Sequence, residues 1–326
     1  MKLHDFSQQA KQVSPGIPVI LLAYNTRELA TLRSGAGIDR TFVWSGDSRI
    51  LLAICKLIED ERNVHHDVEY GDVQVILLVE DSRRFYSTYL PLFYTVLVEQ
   101  TRRLLDDSAN MQEQTLRLRA RAKLLLATDM DEAMLHLERY KDNIIGLITD
   151  GRFPHPKGTR DKAGLDLVKY MQKNAPDVPI LFQSRNLELR EHADALDVEF
   201  VHKEDQNLHR RIQNFMQDKM HFGDFVFRLP DGSEVQRASD LRELLNGLRG
   251  VPLESIRFHA SQNHFSHWLR TRTEFSLAAH IRPYKMKDFD DDETMRLFLD
   301  ETLDNFLKQK RQREVQDYSL GMEKLG

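Results

Sequence analysis

The sequence predicts an α/β protein: a doubly wound, mainly parallel sheet covered by helices, followed by a small helical module. Three observations carry this. Short, wholly apolar runs alternate with longer amphipathic stretches as far as about residue 218. The apolar runs read as strands buried on both faces, which is the signature of a parallel sheet. Part of the pattern occurs twice, and beyond Met220 the strand–helix alternation gives way to helical spacings.

The elements follow in order. Val75-Ile76-Leu77-Leu78-Val79 is a buried strand that ends at Glu80-Asp81-Ser82. A long helix follows through Phe85, Tyr89, Leu92, Val96 and Leu104, and Pro91 within it predicts a kink. A second strand is Lys123-Leu124-Leu125-Leu126-Ala127, and a helix covers 131–140. The strand from Ile144 to Ile148 runs into Thr149-Asp150, and a helix covers 162–174. Pro176-Asp177-Val178-Pro179 turns the chain into the strand ending at Ser184, a helix spans 187–196, and Phe200-Val201-His202 leads to Lys203.

The last part of this series has an earlier counterpart. Pro15-Gly16-Ile17-Pro18-Val19-Ile20-Leu21-Leu22-Ala23-Tyr24-Asn25 parallels Pro176 to Asn186, and Phe42-Val43-Trp44-Ser45-Gly46-Asp47 parallels Phe200 to Asp205. Each pair is followed by an amphipathic helix. Nothing before residue 17 matches the first three strands of the later copy, so the first copy is expected to be a partial unit, with the chain beginning inside a domain. It has Ala23 and Ser45 opposite Ser184 and Lys203, and it has no acidic pair and no acceptor. The expected layout is a partial unit over 1–70, a complete unit over 71–219, a mainly helical module over 220–285, and an amphipathic helix or linker over 286–326.

Composition narrows the function. The 326 residues are 41% hydrophobic and 30% charged, with a formal net charge of −5. There is no apolar run of the ~20 residues that span a bilayer, and no charged-then-apolar leader at the N-terminus. Cys55 is the single cysteine, which excludes an intramolecular disulfide and fits a reducing cytoplasm. The mild acidity gives no general drive towards nucleic acid.

In a parallel α/β sheet the ligand site lies at the carboxyl ends of the strands. Glu80-Asp81, Asp150, Ser184 and Lys203 all fall there. Carboxylates suit a hard cation such as Mg²⁺, a carboxylate also serves as a nucleophile towards phosphorus, and a hydroxyl and an ammonium suit phosphoryl oxygens. No glycine-rich phosphate loop and no other nucleophile–base pair is present, so an enzyme in its own right is not expected.

Five motifs in order resemble the receiver domains of response regulators, with the CheY-like, flavodoxin-like sheet: Leu-Val-Glu80-Asp81-Ser, Thr-Asp150-Gly-Arg-Phe-Pro154, Gly164-Leu-Asp-Leu-Val, Pro179-Ile-Leu-Phe-Gln-Ser184 and Phe200-Val-His-Lys203. The resemblance covers about residues 73–218. It implies Asp150 as phosphoacceptor, Glu80 and Asp81 as the acidic pair for Mg²⁺, a backbone carbonyl of Arg152 as a further ligand, Ser184 as the switch hydroxyl and Lys203 as the phosphate contact. It also implies a histidine kinase or a small phosphodonor as partner. The chain departs from the family at Glu204, where proline is usual, and in longer stretches over 106–121 and 152–163.

In the last third, Leu229-Pro230-Asp231-Gly232 signals a turn and Ser239 is a candidate cap for a helix over 240–248. A second helical stretch includes Phe265, Trp268, Leu269, Phe275, Leu277 and Ala278. His259, His264 and His267 suggest a metal, but no further ligand is evident and polar packing beside Trp268 is the expectation. Arg270, Arg272 and Arg282 are interspersed with acids and read as a solvated helix face rather than a DNA-binding one. Residues 293–307 form an apolar stripe suited to a linker or a homodimer contact. Val19-Ile-Leu-Leu-Ala-Tyr-Asn25, Phe42-Val-Trp-Ser-Gly-Asp47, Gly223-Asp-Phe-Val-Phe-Arg228 and Asn263-His-Phe-Ser-His-Trp268 resemble the N-terminal regulatory region of bacterial proteins related to pyruvate phosphate dikinase and phosphoenolpyruvate synthase. That likeness implies a sensor region, whose partner is a protein or an attached phosphoenolpyruvate/pyruvate-binding kinase region.

Overall fold

The computed structural model describes residues 3–27, 37–106, 108, 111–156 and 158–323. The chain forms two compact units: residues 1–70, 75–96 and 123–210 in the first, and residues 71–74, 97–122 and 211–326 in the second.

The first unit is built on five parallel strands: β3 (Val75–Val79), β4 (Lys123–Ala127), β5 (Ile144–Asp150), β6 (Ile180–Ser184) and β7 (Glu199–His202). Their order is β4-β3-β5-β6-β7, so the strand order reverses beside β3. Strands β3 to β6 are buried along their whole length, as their unbroken apolar runs require. The crossovers between them are the helices Arg83–Asp106, Met130–Arg139, Ala163–Asn174 and Leu189–Ala195. The core joins Leu77, Leu125, Leu147, Phe182 and Phe200 of the sheet to Leu137, Val168 and Ala193 of the helices. The helix Arg83–Asp106 runs on through Pro91. The extended stretch after it, which belongs to the second unit, includes a short helix, Met111–Arg119.

The N-terminal residues add the helix Leu3–Val13, two parallel strands β1 (Ile20–Ala23) and β2 (Arg40–Val43), and the long helix Arg49–Gly71. Two strands bury too little apolar surface to stand alone, and here they lean on the larger sheet. Arg40 donates to the Leu126 carbonyl at 3.2 Å and pairs with Glu61 at 2.7 Å. Ser87 Oγ accepts from Val43 N at 3.0 Å, and Tyr86 donates its hydroxyl proton to the Thr41 carbonyl. Asp60 of the long helix is fully buried and accepts from Leu124 N and Tyr94 Oη at 3.0 and 2.9 Å.

The ladder corrects one sequence correspondence. The Ser184 carbonyl accepts from Lys203 N, whereas the Ala23 carbonyl accepts from Trp44 N. The two strand pairs are therefore offset by one residue, and Trp44 rather than Ser45 stands at the lysine position. Either residue leaves that position without an ammonium.

The second unit contains a hairpin, β8 (Phe225–Arg228) with β9 (Glu234–Ala238), closed by the anticipated turn with Gly232 at φ 86°. Helix Leu241–Gly250 is capped by Asp240, not Ser239, with its carboxylate accepting from Arg242 N and Glu243 N at 2.8 Å. The next apolar stretch divides into Leu253–Ser261, His264–Thr271 and Phe275–Ile281, with Asn263 and Thr273 at positive φ between them. Trp268, Phe225, Phe227 and Phe265 form the centre of this core. The helix Asp292–Glu323 adds Met295, Leu299 and Leu303 to it. Among the described residues no helix is long and apolar enough to cross a membrane.

Candidate functional site

The carboxyl ends of β3, β5, β6 and β7 bring together the residues singled out above. β3 ends just before Glu80 and Asp81, β5 on Asp150, β6 on Ser184, and β7 one residue before Lys203. One oxygen from each of Glu80, Asp81 and Asp150 lies within 4.8 Å of the others. The Lys203 ammonium bridges two of them, at 2.7 Å from Asp150 Oδ2 and 2.5 Å from Glu80 Oε2. Glu80 has no exposed surface, and Lys203 and Asp150 are almost as deep.

Burial dominates the electrostatics. It pushes the Glu80 carboxyl up to about 8 against the pull of Lys203, and it also raises Asp150 above its ordinary value. Three carboxylates held this close are hard oxygen donors, the set that suits a divalent ion that keeps several of its waters. The residues present therefore fit Mg²⁺: Glu80, Asp81 and Asp150 supply the carboxylates.

The remaining site residues are placed as follows. The Arg152 backbone N–H donates to Asp150, while its side chain turns outward to Asp161 at 2.7 Å. Ser184 is buried, and its Oγ accepts from Asn186 N at 3.0 Å. A Cβ on Gly151 would lie 3.2 Å from that oxygen.

Three further residues belong to the pocket. Gln183 Nε2 donates to Glu80 Oε2 at 3.2 Å. The Phe85 ring lies 4.5 Å from the Lys203 ammonium, a cation–π distance that holds the amine without hydrogen-bonding it. Arg160, from the extended stretch after β5, pairs with Asp81. Its place as the penultimate residue of β6, a polar side chain in an apolar run, marks Gln183 in the sequence; for Phe85 and Arg160 no sequence signal separates them from ordinary core and surface residues.

Gly164 explains how the next helix can begin so close to Asp150. A Cβ there would meet the Asp150 carbonyl oxygen at 2.2 Å and the Gly151 Cα at 2.7 Å, so only glycine admits this approach.

Several solved structures similar to this chain are response regulator receiver domains. A receiver domain protein from Clostridium thermocellum is 17% identical over 43% of this chain and 90% of its own, with a TM-score of 0.29. The Mn(2+)-bound form of the response regulator Rcp1 is 17% identical over 44% and 92%, with a TM-score of 0.27. RcsB from Salmonella enterica serovar Typhimurium, bound to promoter DNA, is 14% identical over 70% and 98%, with a TM-score of 0.28. At scores this low the likeness carries no weight of its own, and the fold rests on the strand order given above. No family model matches the chain, and no curated protein does.

The histidines of the second unit have a different character. Arg228 N donates to His259 Nε2 at 2.8 Å, so the His259 proton sits on Nδ1, which faces His264 Nδ1 at 2.9 Å. His221 packs against His264 and His267 with ring centroids 5.0 and 6.1 Å away. Between His259 and His264 the facing nitrogens form a hydrogen bond rather than a vacant ligand pair. Among the described residues the acidic trio is the group drawn together closely enough for a metal.

Proposed function

We propose that the first unit is a two-component receiver that accepts a phosphoryl group on Asp150 with the help of a divalent cation, Mg²⁺ in the cell. The observation that carries this reading is the Lys203 ammonium lying between Asp150 and Glu80, with Asp81 beside them. In the reaction an Asp150 oxygen bonds to phosphorus, and the bond from phosphorus to the donor's leaving group breaks with its electron pair. The leaving group takes its proton from the donor or from water. Lys203 turns from its carboxylate partners to a phosphoryl oxygen, which offsets the charge gathered there. Glu80, Asp81 and Asp150 would hold the ion, which would supply further neutralisation. Ser184 swings towards the new oxygens and alters the face around the helix Leu189–Ala195. The donor is a histidine kinase or a small acyl phosphate, and the chain is the acceptor rather than an enzyme acting on other molecules. The output is a protein partner or an attached phosphoenolpyruvate/pyruvate-binding kinase region. The N-terminal strand pair, with Ala23 and Trp44 at the positions of Ser184 and Lys203, serves as a pseudo-receiver.

Incubation with acetyl phosphate and Mg²⁺, followed by intact mass spectrometry, tests this. One added phosphoryl group is expected on the wild type and none on Asp150→Asn. An unlabelled wild type overturns the reading.

A scaffold that only binds proteins is the second reading, favoured if the acidic pocket takes up no ion in a Mg²⁺ titration. A DNA-binding response regulator is a third reading, which needs a basic recognition surface within residues 221–326. A salt-dependent mobility shift decides between them.

A further inference from the structure

The stretch between β5 and the helix Ala163–Asn174 does more than connect them. It is anchored at one end by Phe153, which is fully buried in the core, and by the Pro154 carbonyl, which accepts from Met130 N at 3.0 Å. At the other end Arg160, Asp161 and Lys162 form one tight turn leading into the helix. Asp161 is tied back to Arg152. The turn holds the Arg160 guanidinium against Asp81, one of the three carboxylates that fit the ion. The cluster thus has two internal counter-ions with different surroundings. Lys203 is nearly fully buried, whereas the Arg160 side chain is 49% exposed.

We propose that Arg160 is a built-in competitor for the divalent cation, so that metal enters the pocket only as the guanidinium leaves Asp81. This inference rests on the receiver reading and deepens it to the regulation of the same site. The physical reason is that one Asp81 carboxylate serves either charge. A guanidinium lodged on it lowers the negative potential the ion meets, and its departure costs the energy of the pair. Lys203 differs, because it lies nearly fully buried between Glu80 and Asp150 and leaves them only when a phosphoryl oxygen takes their place. Half exposure keeps the Arg160 pair weak enough to yield, and salt screens it further. Anything that draws Arg160 outward, such as an acidic surface on a phosphodonor or partner, then raises the metal affinity of the pocket.

The test is direct metal binding to the full chain without phosphodonor, by calorimetry with Mg²⁺ and by the electron paramagnetic resonance of free Mn²⁺. Removal of a competing half-exposed pair is expected to tighten binding in Arg160→Gln by about 3- to 10-fold. Arg160→Lys is expected to fall between Gln and wild type. The ratio of variant to wild-type affinity is expected to shrink as salt rises, because the pair being removed is screened. Equal or weaker binding by Arg160→Gln, with wild type binding normally, overturns the inference and leaves the phosphoacceptor reading standing. Binding by Arg160→Gln alone supports the inference in its strongest form. No binding by either protein overturns it together with the metal part of the proposed function, while acetyl phosphate labelling separately reports on Asp150.

Discussion

Lys203 Nζ lies 2.7 Å from Asp150 Oδ2, although 53 positions separate the two residues in the chain, and the same ammonium touches Glu80. The contact exists because β5 and β7 flank β6 in one parallel register and end on the same edge of the sheet. Two acids this deep stay together only with that amine between them.

Lys203→Met takes away the shared counter-ion and keeps the length of the side chain. Breaking a buried pair from one side costs about 3–5 kcal/mol. Urea denaturation is expected to show a loss of that size, most of it recovered when Glu80→Gln and Asp150→Asn are added. A loss within about 0.5 kcal/mol, typical of a surface site, would falsify the picture of a shared buried amine.

Gly164→Ala drives a methyl group into the backbone at Asp150, at 2.2 Å from its carbonyl oxygen. Neither backbone segment has a soft side chain to yield. Overpacking of this kind costs about 1–3 kcal/mol, and acetyl phosphate labelling is expected to drop because Asp150 shifts. Gly16→Ala, whose Cβ meets nothing within 4 Å, is the matched control and is expected to label as wild type.

The second unit is expected to weaken in acid. Burial pushes His259 down to about 3 and His264 to about 4, from an ordinary 6.5, and carries fully buried His221 well below its usual value too. Their histidine neighbours, Lys219 and Arg228 act in the same direction. The native state keeps these rings neutral, whereas the unfolded chain binds protons below 6.5. Their contribution to stability is therefore complete above that pH and lost as pH falls towards the folded values. With Trp44→Phe, Trp268 is the single tryptophan left to report. Its unfolding midpoint in urea is expected to decline steadily between pH 6.5 and 4, and less steeply in His264→Gln, which retains an acceptor for the His259 Nδ1–H. A flat profile contradicts the neutral pairing.

Much of this was legible in the residues. Strands β3 to β6 show as apolar runs because a strand covered on both faces has no use for polar side chains. Glu80, Asp81, Asp150, Ser184 and Lys203 could be assigned to one edge because each follows such a run, and parallel strands all end on the same side. The hairpin of the second unit was half visible, as a turn without its second strand: Glu234–Ala238 is mostly exposed and carries no apolar alternation. The cap at Asp240 rather than Ser239 was one residue away from the expectation, because both side chains suit that role.

Local pattern by itself determined which residues form the strands of the parallel sheet, in what order they come and which polar groups stand at their ends, since those follow from hydrophobic periodicity along the chain. Only the tertiary structure decided that Arg160 rests on Asp81 across 79 positions, that Phe85 lies beside the Lys203 amine, that the two strand pairs differ by one residue in register, and that His259 and His264 satisfy each other. Each of these depends on the direction of a side chain and on the exact stagger of neighbouring strands. Those are fixed by packing between distant segments, and sequence spacing carries no record of them.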